Sequence, residues 1–138
     1  MSAISPTVAR MNLASIRILT TDVPRLAAFY EQLIGRPARW VGPVFAAVPT
    51  DSGAEVAVTG PESLALSGTP GAAEPGANRS VYIEFEAEDV DAEFQRLRDG
   101  VVDDFVLEPT TMPWGNRSML FRDPDGNLIN VFRRPDAA

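Results

Sequence analysis

The chain has 138 residues, 45% hydrophobic and 22% charged, enough for one domain whose core needs no metal or disulfide staple. Twelve basic residues, all Arg, stand against 19 acidic ones, and the resulting formal charge of −7 argues against a phosphate-backbone partner. Cys and His are both absent, which removes disulfides, thiolate nucleophiles, the usual general base and the familiar zinc sites.

Met1 to Met11 contains no apolar run of signal-peptide length, and no later stretch has the length to span a bilayer. The expectation is a cytoplasmic protein with neither a membrane nor a nucleic-acid partner. The run from Ile16 to Thr20 alternates like a strand and reaches Asp22-Val23. Leu26, Phe29, Tyr30 and Leu33 then recur at helical spacing. Asp22 is placed to cap that helix, Pro24 is tolerated in its first turn, and Gly35 stops it. Strands are expected at about 39–48, 54–59 and 63–67. The Pro/Gly/Ala-rich stretch that follows reads as a linker over 69–80.

The pattern then repeats. Ile83 to Glu88 is a second extended run, reaching Asp89-Val90, and Val90, Phe94 and Leu97 follow at helical spacing up to Gly100. Three more strands are expected at about 104–111, 117–122 and 127–133. The chain therefore reads as a single α+β domain over 1–138, with one βαβββ module at 12–68 and another at 81–134. Strand parity puts Ile16 and Ile18, and likewise Val81, Ile83 and Phe85, on faces that cover helices. Ser15 and Arg17, and Tyr82, Glu84 and Glu86, fall on the opposite faces, which are expected to line a cavity.

The motifs resemble the vicinal oxygen chelate superfamily, the group of glyoxalases, bleomycin-resistance proteins and extradiol dioxygenases. The likeness rests on Thr21-Asp22-Val23 followed by Phe29-Tyr30-Glu31 and Leu33-Ile34-Gly35. In the second half it rests on Glu88-Asp89-Val90-Asp91, Pro113-Trp114-Gly115-Asn116-Arg117 and Asp123-Pro124-Asp125-Gly126-Asn127. It covers about residues 12–134. The resemblance implies paired βαβββ modules curving into an open barrel with helices outside, often in a homodimer. It also implies four metal-ligand positions, which here fall on Ser15, Ala65, Tyr82 and Asn130. A hydroxyl, a methyl, a phenol and an amide do not supply the charge that a divalent ion needs, so no metal and no cofactor are expected.

Individual residues carry two readings each. Trp114 offers a stacking wall for a planar ligand, or plugs the edge of the core. Met112 is an adaptable apolar neighbour. Arg17 and Glu84 occupy equivalent places in the repeat and are expected foremost as an ion pair, with ligand binding or a base role for Glu84 as the functional alternative. Tyr82 and Asn130 are polar where an apolar residue would fit, which favours hydrogen bonding to a ligand. Arg117 is expected to hold the Trp loop or to contact a ligand, the first foremost. Asp123 to Asn127 is foremost a tight turn, not a calcium loop.

The expected function is thus a metal-free binding protein for a planar or amphipathic small molecule, resembling the antibiotic-sequestering bleomycin-resistance type. Its binding set is Ser15, Arg17, Tyr82, Glu84, Met112, Trp114 and Asn130. Two alternatives stand beside it: a metal-independent isomerase, lyase or hydrolase in the same scaffold, using Glu84 or Tyr82, and a structural or regulatory dimer without pocket chemistry.

Overall fold

A computed structural model describes residues 10–136; the remaining residues, which include most of the Met1 to Met11 stretch, lie outside the described part. The first repeat comprises β1 (Ser15–Leu19), α1 (Val23–Ile34), β2 (Arg39–Trp40), β3 (Phe45–Pro49), β4 (Glu55–Thr59) and a short helix α2 (Glu62–Leu66). The second comprises β5 (Tyr82–Glu86), α3 (Val90–Leu97), β6 (Phe105–Thr111), β7 (Arg117–Arg122) and β8 (Leu128–Arg133). Residues 67–81 between them hold turns and bends but no helix or strand.

The helix starts follow from local chemistry. The Asp22 carboxylate accepts from Arg25 N at 3.1 Å, and Asp89 accepts from Ala92 N at 3.0 Å, each satisfying an orphan amide of the first turn. Gly35 ends α1 in the left-handed conformation at φ 80°, which a side chain would strain. The second helix ends earlier than its glycine suggests: Arg98 is the cap, and Gly100 makes the following turn at φ 94°.

Two strand expectations fail. Residues 39–48 divide into β2 and β3 because Gly42, at φ 68°, and Pro43 turn the chain between them. Residues 63–67 are not a strand: α2 occupies Glu62–Leu66. Pro61 already has helical dihedrals, and Glu-Ser-Leu-Ala-Leu lacks the β-branched residues that favour extended chain. Ala65, placed above on a final strand, is therefore an exposed helix residue. The last strand of the first module is β4, which pairs in parallel with β1 and sets Ala57 beside Arg17, just as β8 sets Asn130 beside Glu84.

The expected open curved barrel is also not found. The strands form two separate four-stranded sheets, ordered β1-β4-β3-β2 and β5-β8-β7-β6, neither closed nor strongly curved. β1 and β5 are terminal strands with one neighbour each, and no ladder joins them. The two sheets meet instead through their helix-bearing faces. Leu26, Phe29, Tyr30 and Leu33 of α1 share one core with Val48, Val56 and Val58 of the first sheet and with Ile83, Met119, Phe121, Ile129 and Val131 of the second. The Phe29 ring packs edge-on against Phe121 at 6.5 Å between centroids.

Polar contacts also fasten the modules. Arg96 of α3 donates to the carbonyls of Gln32 and Leu33 at 2.6 and 2.9 Å, placing a cation on the negative end of α1. The fully buried Tyr30 donates its hydroxyl to Asp123 Oδ2 at 2.6 Å. Asp123 in turn holds its own turn, accepting from Asp125 N and Asn127 N at 2.9 Å and from Asn127 Nδ2 at 2.8 Å. Burial, reinforced by the Asp123 charge, pushes the Tyr30 phenol well above its usual pKa.

Tyr30→Phe is expected to lower stability by about 1.5–3 kcal/mol, since it leaves a buried carboxylate short of a donor. Equilibrium denaturation measures this. The phenol ionises more readily in the unfolded chain than in the fold, so its contribution is complete below about pH 10 and declines as pH rises toward the raised native value. The stability–pH curve of Tyr30→Phe should lack that alkaline component.

Candidate functional site

The two open sheet faces are built by cross-strand register. On the first sheet Arg17, Ala57, Ala47 and Arg39 lie in one row, with Ser15, Glu55 and Pro49 in the next. On the second, Glu84, Asn130 and Leu120 form a row, flanked by Tyr82, Leu128 and Arg122 on one side and by Glu86, Phe132 and Ser118 on the other. Because the apolar faces of both sheets share a core, these polar faces lie on the outsides of the molecule.

Arg17 and Glu84 therefore do not form the expected ion pair within the chain. The Arg17 guanidinium instead sits over the Phe45 ring, 4.9 Å from its centroid. Glu84 accepts from Asn130 Nδ2 at 2.8 Å. The Asn130 amide is thereby oriented, and its Oδ1 is buried without a partner, the one such side-chain atom among the described residues. Ser15 is half-buried on the first face; Tyr82 is 55% exposed on the second.

Trp114 stands at the tip of the β6–β7 hairpin and is 68% exposed, so it does not plug the core of this chain. Met112 N donates to Asn116 O at 2.7 Å and Gly115 N to Met112 O at 2.9 Å, which closes a tight loop around it. Gly115 has φ 100°, and a Cβ there would meet the Pro135 ring at 3.2 Å. Arg117 reaches from this hairpin to α3 and donates to both oxygens of Asp91, at 2.7 and 3.1 Å. That hydrogen bonding holds the Asp91 carboxyl below its usual pKa. Arg117 also donates to Thr111 Oγ1 at 3.2 Å, so it braces the Trp loop.

Among the described residues, no three His, Cys, Asp or Glu side chains come together as a metal site. β4 sets Ala57 in the first module where β8 sets Asn130 in the second, so the set that the resemblance implies becomes Ser15, Ala57, Tyr82 and Asn130. Ala57 adds no donor, and the set does not fit a divalent cation.

Sequence reasoning missed one concavity. A cleft of about 850 Å³ opens between the C-terminal end of α1, the β3–β4 turn, the free edge of β5 and α3. Of the seven residues singled out above, only Glu84 lines it. The cleft depends on how the modules pack, and no periodicity within one module encodes that. The 38% exposure of Ile16, an apolar residue on a helix-covering face, is its clearest mark on the strands. No helix among the described residues is long and apolar enough to cross a membrane.

Comparison with known proteins agrees with this architecture. An uncharacterized protein, YraH, of Bacillus subtilis (strain 168) is 27% identical over 126 residues, covering 89% of this chain and 98% of that protein. A crystal structure of a glyoxalase/bleomycin resistance protein/dioxygenase from Nocardioides is similar with a TM-score of 0.78 at 24% identity, covering 96% of this chain and 89% of that one. A member of the same superfamily from Sphaerobacter thermophilus DSM 20745 is similar with a TM-score of 0.68 at 26% identity, covering 91% and 98%. The profile of the Glyoxalase/Bleomycin resistance protein/Dioxygenase superfamily matches residues 12–131. The chain belongs to that superfamily.

Proposed function

We propose that this chain is a metal-free small-molecule binding protein, similar in role to the bleomycin-resistance members of its superfamily. The observation that carries the reading is the donor set. The scaffold is present throughout, yet the four positions that bear metal ligands in the family's enzymes hold Ser15, Ala57, Tyr82 and Asn130. What these faces do offer suits binding: a phenol, a carboxylate–amide pair and, on a braced hairpin, an indole with most of its surface free. Aromatic side chains with few rotatable bonds give contact area at small entropic cost.

Two copies of the chain are part of the proposal. Arg17 on one face and Tyr82 and Glu84 on the other are exposed in one chain, and β1 and β5 each leave a free edge. Met11, Leu13, Val81, Tyr82 and Trp114 are all more than half exposed, an apolar load that favours association. A homodimer that apposes the two kinds of face gathers the seven residues around one pocket. Light scattering at micromolar concentration should give the mass of a dimer; a monomer contradicts this part of the proposal.

Nile red, a neutral planar amphipath, serves as a binding probe. In a Trp40→Phe background, Trp114→Ala should weaken its binding by about 1–3 kcal/mol, as for an aromatic anchor. Tyr82→Phe should cost about 1 kcal/mol or less with a ligand that hydrogen-bonds the phenol. Unchanged affinity in a folded Trp114→Ala protein returns Trp114 to a structural role. Chromatography of incubated secondary metabolites decides between binding and catalysis: recovery unchanged supports the binder, and conversion that depends on Glu84 or Tyr82 supports a metal-independent enzyme.

A further inference from the structure

The outward rows of the two sheets leave one base and one acid unmatched. Arg39 pairs with Glu55 at 3.1 Å, and Glu86 with Arg134 at 2.9 Å. Arg122 donates to the Gly126 carbonyl at 3.1 Å. Among the described residues, Arg17 and Glu84 have no opposite charge within salt-bridge reach. Arg17 rests over the Phe45 ring and Glu84 accepts from Asn130, and neither contact neutralises the charge. Each is the central residue of a terminal strand, Arg17 of β1 and Glu84 of β5. Both are exposed.

Exposed apolar residues gather at the same two strands. Met11 and Leu13 lead into β1 and Ile16 lies on it; Val81 leads into β5 and Tyr82 opens it. A second copy of this chain suits both features. Under a two-fold axis, a contact of residue i with residue j is made a second time by j with i. Setting β1 of one copy beside β5 of the other therefore matches both unpaired charges twice and covers the apolar strand starts. Setting like against like would bring Arg17 to Arg17 or Glu84 to Glu84, which costs several kcal/mol. Each chain carries a formal charge of −7, so two copies repel at long range and need such a match at the contact.

We propose that Arg17 of one copy pairs with Glu84 of the other, twice in each dimer, and that this pair dictates which faces meet. Asn130 is the positioning residue: its Nδ2 holds Glu84 Oε2 at 2.8 Å and leaves Oε1 to the guanidinium. The pocket is then incomplete in a single chain, with Ser15 and Arg17 supplied by one copy and Tyr82, Glu84 and Asn130 by the other. The inference rests on the two-copy part of the reading above and adds the interface and the pair that selects it.

Charge reversal tests it on the whole chain, with sedimentation equilibrium as the readout and circular dichroism to check the fold. Arg17→Glu and Glu84→Arg should each raise the dimer dissociation constant about a hundredfold or more, because like charges then meet. The two changes together should bring it back to within about tenfold of the native value. Glu84→Gln keeps an oxygen for Asn130 and should weaken the dimer about tenfold, which serves if Glu84→Arg does not fold. The chain has no cysteine, so Arg17→Cys and Glu84→Cys each carry a single thiol. A short bismaleimide should join these two variants when they are mixed and leave each alone uncrosslinked. Folded single reversals that dimerise like the native protein overturn the pairing while leaving a dimer in place, and so does crosslinking within one variant but not in the mixture. A native monomer overturns the pairing and the dimer together, and Nile red then tests the binding reading by itself.

Discussion

Each sheet of this protein has one apolar face, and the two apolar faces are buried together around α1. That shared core decides the rest of the architecture. Phe29 and Tyr30 belong to the first module, yet they pack on Phe121 and bond Asp123 in the second. Burial of large side chains on this scale is the dominant stabilising term, and the Tyr30–Asp123 bond gives it one register. Because a strand alternates its faces, burying Ile18, Ile83 and Phe85 obliges Arg17 and Glu84 to face outward. The free edges of β1 and β5 follow from the same packing, since sheets that meet through their helices do not join edge to edge.

The site chemistry is a consequence of that arrangement. Arg17 finds an aromatic ring and Glu84 finds an amide, because neither can reach the other within the chain. Trp114 is held out on a hairpin by Gly115 and by the Arg117–Asp91 contact, and not by burial. An exposed aromatic on a braced loop suits it to be a contact surface. On the proposed reading, these faces recognise a ligand by stacking and hydrogen bonding.

Much of the fold was legible in the sequence because its signals are local. Asp22 and Asp89 cap helices through their own side chains, and the apolar spacing in each helix falls on buried positions, with only Phe94 partly exposed. The Asp123–Asn127 turn was likewise readable, since Pro124 and Gly126 set its dihedrals. Segment 63–67 was misread because a short apolar run fits both periods, and Pro61 with Glu62 was the unused helix-start signal. The barrel, the Arg17–Glu84 pair and the cleft depend on how two modules dock. That docking is set by long-range contacts such as Phe29 with Phe121, which no window along the chain contains.

The central claim is that this member of the superfamily recognises a small molecule without a bound divalent ion. Calorimetric titration of the purified, chelator-treated protein with Mn²⁺, Ni²⁺ and Zn²⁺ addresses it most directly. The account predicts no saturable one-to-one isotherm for any of the three, and Nile red affinity that is the same with and without the ions. A stoichiometric isotherm that is lost in Asn130→Leu, or probe binding that requires the ion, would contradict it.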